Sequence, residues 1–281
     1  MTKAWYQLRP LIGRARFIRE MTRRGHALRA KRSYQRTTRS GSYRFPNLIK
    51  GLVINDINLV WQSDTTYFRI ADRFFYLTFI VDLYSRRIVG HCVSHSLSAQ
   101  ANLAALKMAI GQRREYSLQG LIFHSDGGTQ YRFGPFVELL RSHAISSSMC
   151  ELALDNAYAE RLNGIVKNEY LYDQGPRNLK HLAQLTAKAV DNYNDQRIHY
   201  GLPEKVSPRQ FEQHINQDPQ NWRYWLHIKD GQAARQVENI GAGQMLNTSG
   251  MWAPKGVAQI LPANVILHQP MVNPQLVLEL E

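Results

Sequence analysis

With 281 residues, 44% of them hydrophobic, the chain is long enough to bury one large core or two moderate ones. It has no run near the roughly 20 apolar residues of a membrane span. It has no signal-type apolar stretch in MTKAWYQLRPLIGRAR, and its two cysteines, Cys92 and Cys150, lack metal-ligand spacing. These features set aside a membrane protein, a disulfide scaffold and a cysteine-based metal module, and the expectation is a cytoplasmic protein with two buried, reduced thiols.

The net charge of +13 is unevenly spread. Residues 1–50 hold 14 of the 35 Lys/Arg but one acid of 22, Glu20, and that block carries the whole excess. An arginine-dominated block attracts phosphate backbones through counterion release and bidentate hydrogen bonds. A solvated basic face or a tail is the blander reading of the same charge. On the DNA reading the candidate contacts are Arg14, Arg16, Arg19, Arg23, Arg24, Arg29, Lys31 and Arg32.

Along the chain, Leu11, Ile12, Phe17, Ile18 and Met21 recur at loose helical spacing, which predicts a helix over 11–30 with Gly25 as a stop. Residues 31–50 read as a polar linker, with Ser40-Gly41-Ser42 and Pro46. NLVWQSDTTYF, FFYLTFIVDLY and RRIVGHCVSHS predict a three-stranded antiparallel meander with turns at Asp72-Arg73 and Ser85-Arg86. Ala99, Leu103, Leu106 and Ile110 mark one face of a helix. GLIFHSD predicts a fourth strand, Phe133–His143 a short helix, and Ala144–Met149 a fifth strand. A helix is expected to start near Asp155 or Asn156, capped by Asn156, and to run to about Tyr170; another covers about Leu179–Tyr193. A meander followed by alternating helices and strands points to an α/β fold, a mixed five-stranded sheet with helices on its faces. The charge-poor stretch after about residue 231 fits a small β module or a partner-binding arm equally well.

Three carboxylates stand out. Asp64 is expected to end the first strand segment, in WQSDTTY, and Asp126 the fourth, in FHSDGGTQY; Glu160 lies one turn into a helix in DNAYAERLNGIVKNEY. Neighbouring strand ends would bring both aspartates to one edge of the sheet, and the helix could swing the glutamate over it. Gly127-Gly128 are expected to leave open backbone for a phosphate. Three such groups would repel one another without a counter-ion, and oxygen-only ligands favour Mg2+ or Mn2+. Each acid also has a plainer role: a strand-end Asp is commonly a turn or cap residue, as read for Asp82, and a helical Glu is commonly solvated.

The motifs WQSDTTYF, VDLYSRRIVG, FHSDGGTQY, DNAYAERLNGIVKNEY and YNDQRIHYGLPEKVSPRQF, in that order over about 55–214, resemble the catalytic core of bacterial insertion-sequence transposases. Those belong with retroviral integrases in the DDE, RNase H-like superfamily. The resemblance implies an RNase H-like core and a catalytic trio of Asp64, Asp126 and Glu160 holding two Mg2+ or Mn2+ ions. It implies phosphodiester hydrolysis at element ends, then 3′-OH strand transfer into target DNA, in a homodimer or higher oligomer at the nucleoid. The division it suggests is 1–50 for DNA binding and linker, 55–214 for the core and 215–281 for a C-terminal region. The His/Cys zinc module of retroviral integrases is absent from the sequence: His26 is the sole His before residue 91, and no Cys precedes Cys92. The alternatives are an RNase H-like nuclease without strand transfer, or a non-catalytic DNA-binding protein on a transposase scaffold.

Helical spacing puts Asn163, Gly164 and Lys167 on the face of Glu160. Asn163 and Lys167 are therefore candidate DNA contacts, Lys167 otherwise being an exposed lysine. Arg197 and His199, in a motif near the core's end, are candidate backbone contacts or packing residues. His124 could touch DNA or sit buried. Trp222 and Trp225 fit a hydrophobic cluster better than a base-stacking platform. No organic cofactor is expected.

Overall fold

The predicted meander forms because its three segments are rich in aromatic and β-branched residues, and the middle one, FFYLTFIVD, carries bulky apolar residues on both faces, as a central strand must. In the computed structural model, which describes residues 11–25, 45–150, 153–222, 224–229 and 232–235, β2 (Val60–Ile70), β3 (Arg73–Asp82) and β4 (Ile88–Ser94) pair antiparallel. The short β1 (Val53–Ile54) precedes them. Ala71, next to the predicted turn at Asp72-Arg73, has φ 49°, and Arg86 in the next turn has φ 64°. Asp82 organises that second turn: its carboxylate accepts the backbone N–H of Tyr84 (3.1 Å), Ser85 (2.9 Å) and Asn58 (2.7 Å).

α2 (Ala99–Gln112), capped by the Ser98 hydroxyl, leads to β5 (Ile122–Ser125), which joins β2 in parallel. α3 (Gly134–Ser142) and β6 (Ser146–Met149) follow, β6 parallel to β5. The sheet order β4-β3-β2-β5-β6 is the mixed five-stranded arrangement implied by the resemblance. α4 (Ala157–Ile165) continues through a π-helical turn, Val166–Leu171; α5 (Leu179–Gln196), α6 (Pro208–Gln217) and the one-turn α7 (Pro219–Trp222) follow. α1 (Arg14–Arg23) lies in the basic segment, shorter than predicted, and the chain turns out of it at Gly25 with φ 76°.

The period of two along β3 divides the core. Ile80 joins Trp61, Leu106, Phe123 and Phe136 beneath α2 and α3, while Leu77, Phe79 and Val81 join Leu162, Val166, Leu182 and Val190 beneath α4 and α5. α2 approaches β4 so closely that a Cβ on Gly90 would overlap the Ala105 carbonyl oxygen. At the sheet edge Asn194 of α5 both donates to Ile88 O (3.0 Å) and accepts from Ile88 N (2.9 Å), in the manner of a neighbouring strand.

A third apolar cluster crosses the expected boundary between residues 214 and 215. β7 (Leu226–Lys229) pairs with β1 and with β8 (Gln232–Arg235), and Tyr224, Leu226 and Ile228 pack with Ile49, Ile54, Val60, Leu83, Tyr84 and Phe211. The chain just before and just after the core thus closes into one small sheet under it. Trp222 packs here, its ring 4.0 Å from that of His214. Glu212 of α6 ties the region down: it bonds Arg87 Nη1 at 2.6 Å, Ser85 Oγ at 2.6 Å and both terminal nitrogens of Arg113, itself 1% exposed.

Candidate active site

The parallel ladder between β2 and β5 ends at the pair Ser63–Ser125. Asp64 and Asp126 are the next residue on each strand, so the two aspartates emerge side by side where the ladder stops. Asp126 stands just past β5, as expected. Asp64 does not end its strand: β2 runs on to Ile70, with Asp64 still paired across to Phe79 of β3. β2 outlasts its parallel partner because the β2–β3 hairpin continues beyond the sheet's shorter strands.

Two asparagines anchor α4 to β2 beside Asp64. Asn156 occupies the helix N-cap position but makes no side-chain cap bond; its Nδ2 donates to Ser63 O instead, at 2.9 Å. The expected cap is therefore a tie between helix and strand. Asn163, two turns on, donates from Nδ2 to Asp64 Oδ2 at 2.7 Å. Asn163 is thus on the predicted face, yet it is buried and engaged with a carboxylate. Glu160 lies between the two asparagines and is exposed.

The electrostatics show the three acids sensing one another. Burial raises the Asp64 carboxyl to about 7, and the charges of Asp126 and Glu160 push it the same way. Burial raises Asp126, against the hydrogen bond it accepts from Gly128 N (3.0 Å). Burial and the Asp126 charge raise Glu160. Carboxylates with proton affinity raised by neighbouring carboxylates form a site of unbalanced negative charge. Among the described residues, however, no three His, Cys, Asp or Glu side chains lie close enough together to hold a metal ion on their own. The donor chemistry and charge fit a hard divalent cation; the glutamate is coupled to the aspartates without being closed onto them.

The surroundings were partly legible. Lys167, in the π-helical turn, donates to Thr66 Oγ1 at 2.6 Å, with Nζ 5.5 Å from the Tyr67 ring centroid. It is half-buried rather than a free surface lysine, and burial lowers its pKa while Asp64 opposes that shift. His124 is wholly buried, bonded to Ser148 Oγ at 2.8 Å and held neutral, its pKa lowered to about 4 by burial. Of its two roles, the buried one applies. At Gly128 the backbone is not open as expected: a Cβ there would fall among the side-chain atoms of the buried Gln130. Tyr131, fully buried, reaches Ser63 Oγ at 3.0 Å and lines the floor beneath the aspartates. Neither Gln130 nor Tyr131 carried a signal in the sequence beyond its closeness to Asp126.

The remaining expected DNA contacts separate into three groups. Arg14, Arg16, Arg19, Arg23 and Arg24 are exposed on or next to α1, and Arg23 and Arg24 bond Glu20. Arg29, Lys31 and Arg32 lie outside the described residues. Arg197 is paired through both terminal nitrogens with Glu169, and His199 packs edge-on against Tyr193 (4.9 Å) with its Nε2 buried. Burial and the flanking charges of Arg197, Arg86 and Arg161 lower His199 to about 3. For Arg197 and His199 the packing role is the one the geometry offers, because their polar atoms are already engaged or enclosed. Asn163, Lys167 and the aspartates do come together; Arg197 and His199 belong to the neighbouring contact between α5 and the π-helical turn.

Comparison with known proteins gives a family context. Two stretches, residues 55–153 and 145–206, match the integrase core domain. The chain is 31% identical over 194 residues to a transposase for insertion sequence element IS904 of Lactococcus lactis, spanning 67% of this chain and 76% of that protein. It is 34% identical over 148 residues to a protein described as putative transposase for insertion sequence element IS986/IS6110 of Mycobacterium tuberculosis, spanning 50% of this chain and 53% of that one. Against that protein, and against the transposase for IS629 of Shigella sonnei at 47%, the match spans about half the relative's length. Among solved structures, the catalytic core domain of HTLV-2 integrase in complex with magnesium is 23% identical, with a TM-score of 0.44 over 54% of this chain and 95% of that one.

Proposed function

Because this chain belongs to the insertion-sequence transposases that carry an integrase core domain, we propose that it is a DNA transposase whose catalytic residues are Asp64, Asp126 and Glu160. The observation that supports the reading is geometric: Asp64 and Asp126 follow directly on the last pair of the β2–β5 ladder, and α4, tied to β2 through Asn156 and Asn163, carries Glu160. Their substrate is double-stranded DNA, the ends of a mobile element and then a target. In the first step water attacks a phosphodiester phosphorus and the bond to the 3′ oxygen breaks, leaving a 3′-OH and a 5′-phosphate. In the second, that 3′-OH attacks a target phosphodiester and displaces its 3′ oxygen. Bringing two element ends together calls for a homodimer or higher oligomer, working at the bacterial nucleoid. The proposed organisation is a basic DNA-binding segment over 1–50, a core over 55–214 and a C-terminal region over 215–281.

Asp64 and Asp126 would be the strand-borne ligands, and Glu160 the helix-borne ligand, of Mg2+ or Mn2+, two ions per site. When bound, the cations supply charge stabilisation to the attacking and leaving oxygens of an in-line displacement. Asn163 would keep Asp64 oriented by donating to one carboxylate oxygen. Tyr131 and Ser63 brace the strand beneath. Lys167, which bonds Thr66 two residues beyond Asp64, would take a phosphate oxygen next to the scissile one. The exposed arginines of α1 would track the DNA backbone.

The experiment is a strand-transfer assay with pre-cleaved element ends, run with wild type and Asp126→Asn. Joined products from wild type and none from the variant, with DNA binding retained in both, are expected. Cleavage without joining would replace this reading with a nuclease. Activity unaffected by the substitution would remove the carboxylates from the chemistry altogether.

A further inference from the structure

Of the three acids, Glu160 depends most on how its element is held. Asp64 and Asp126 are fixed by the strand ladder, whereas Glu160 rides on a helix whose start is tied down at a few points. Two ties come from the core sheet: Asn156 Nδ2 to Ser63 O (2.9 Å) and Gln62 Nε2 to Asp155 O (3.0 Å). A third comes from outside it. Asn47 donates from Nδ2 to Asp155 Oδ2 at 3.0 Å, one residue before the helix N-cap.

Asn47 lies in the segment that leads from the basic N-terminal region into the core, upstream of residue 55, where the integrase core match begins. The segment is itself fastened along the end of β6. Met149 N donates to Pro46 O (3.3 Å), Leu48 N donates to Ser148 Oγ (2.9 Å), and Ile49 is buried in the third cluster. The Asn47 amide has one possible orientation, because its Oδ1 accepts from Ile49 N (3.2 Å) and only Nδ2 is left to meet the carboxylate. Asp155 is 5% exposed, and a carboxylate that deep needs its donors.

We propose that Asn47 is a positioning residue for Glu160: through Asp155 it sets the start of α4, so that the linker out of the DNA-binding segment takes part in assembling the three carboxylates. The inference rests on the proposed role of the trio. It explains how a site that is coupled but not closed can depend on a segment outside the core.

The test uses the full chain and Mn2+ binding by titration calorimetry, a readout independent of DNA cleavage. The variants are Asn47→Asp, isosteric but repelled by Asp155, Asn47→Ser, Glu160→Gln and the double variants Asn47→Asp/Glu160→Gln and Asn47→Asp/Asp155→Asn. Loss of a group bonded directly to a ligand typically weakens metal affinity by about 10–100-fold; Asn47 acts one step further out, through Asp155, so Asn47→Asp is expected to weaken Mn2+ binding by about 3–10-fold. In the Glu160→Gln background the same substitution should change Mn2+ affinity by less than about twofold, because its effect is already spent. The exchanged pair, Asn47→Asp/Asp155→Asn, should recover most of the loss, because the amide and the carboxylate trade places and the bond runs in the opposite direction. Unchanged Mn2+ affinity in Asn47→Asp and Asn47→Ser, or equal losses with and without Glu160, would overturn the inference. Mn2+ binding unaffected by Glu160→Gln would instead overturn the reading of the trio. If Asn47→Asp does not fold, Asn47→Ser decides.

Discussion

Replacing Asp64 by asparagine should stabilise the metal-free protein at alkaline pH. The amide oxygen can accept the Asn163 Nδ2 bond that the carboxylate accepts now, so the main change is the loss of a charge. Burial, Asp126 and Glu160 hold this carboxyl at about 7, against an ordinary value of 3.8. The folded state therefore binds the proton more tightly than the unfolded chain. The stability this contributes is complete below pH 3.8, declines as the pH rises, and is gone once the pH passes 7. At 1.36 kcal/mol per tenfold difference, the full span is about 4 kcal/mol, and relaxation of the two coupled acids and solvent at the site reduce it to about 2–4 kcal/mol. Thermal unfolding of wild type and Asp64→Asn in EDTA from pH 4 to pH 8.5 measures the difference, in which titrations elsewhere largely cancel. The advantage of the variant should grow from about pH 4 to about pH 7 and then level off. Added Mn2+ at pH 8 should narrow it by stabilising wild type more. A difference independent of pH, or one that shrinks as the pH rises, would refute the raised proton affinity of the buried Asp64.

Glu212→Gln should cost about 3–5 kcal/mol in denaturant unfolding, because it leaves Arg113 buried without its counter-charge. A loss under 1 kcal/mol would mean that the network contributes packing alone. Gly90→Ala should destabilise by about 1–3 kcal/mol through overlap with the Ala105 carbonyl, whereas Gly164→Ala, with only Asn168 Nδ2 at 4.0 Å, should not. Lys167→Ala should weaken DNA binding at low salt and reduce the salt dependence by about one phosphate contact, with the unfolding midpoint little changed; an unaltered salt slope would remove Lys167 from the DNA path.

Much of this protein was legible in its sequence because the relevant signals are local. Aromatic and β-branched residues in FFYLTFIVDLY and turn residues at Asp72-Arg73 and Ser85-Arg86 specify the meander, whereas the pairing of β5 with β2 instead of its predecessor β4 appears only in the folded sheet. The charge of the first 50 residues and the identities of Asp64, Asp126 and Glu160 are likewise properties of the chain itself. What a side chain touches across a hundred residues is decided by register and packing, which no local pattern carries. Only the folded chain shows that Asn156 holds Ser63 rather than its own helix, that Gln130 fills the space beside Gly128, and that Asn163 binds Asp64. The pairing of Arg197 with Glu169 and of β1 with β7 has the same origin. The raised proton affinity of Asp64 is tertiary as well: it comes from burial and from two distant charges, and charge–charge energy depends on distance and dielectric, not on position along the chain.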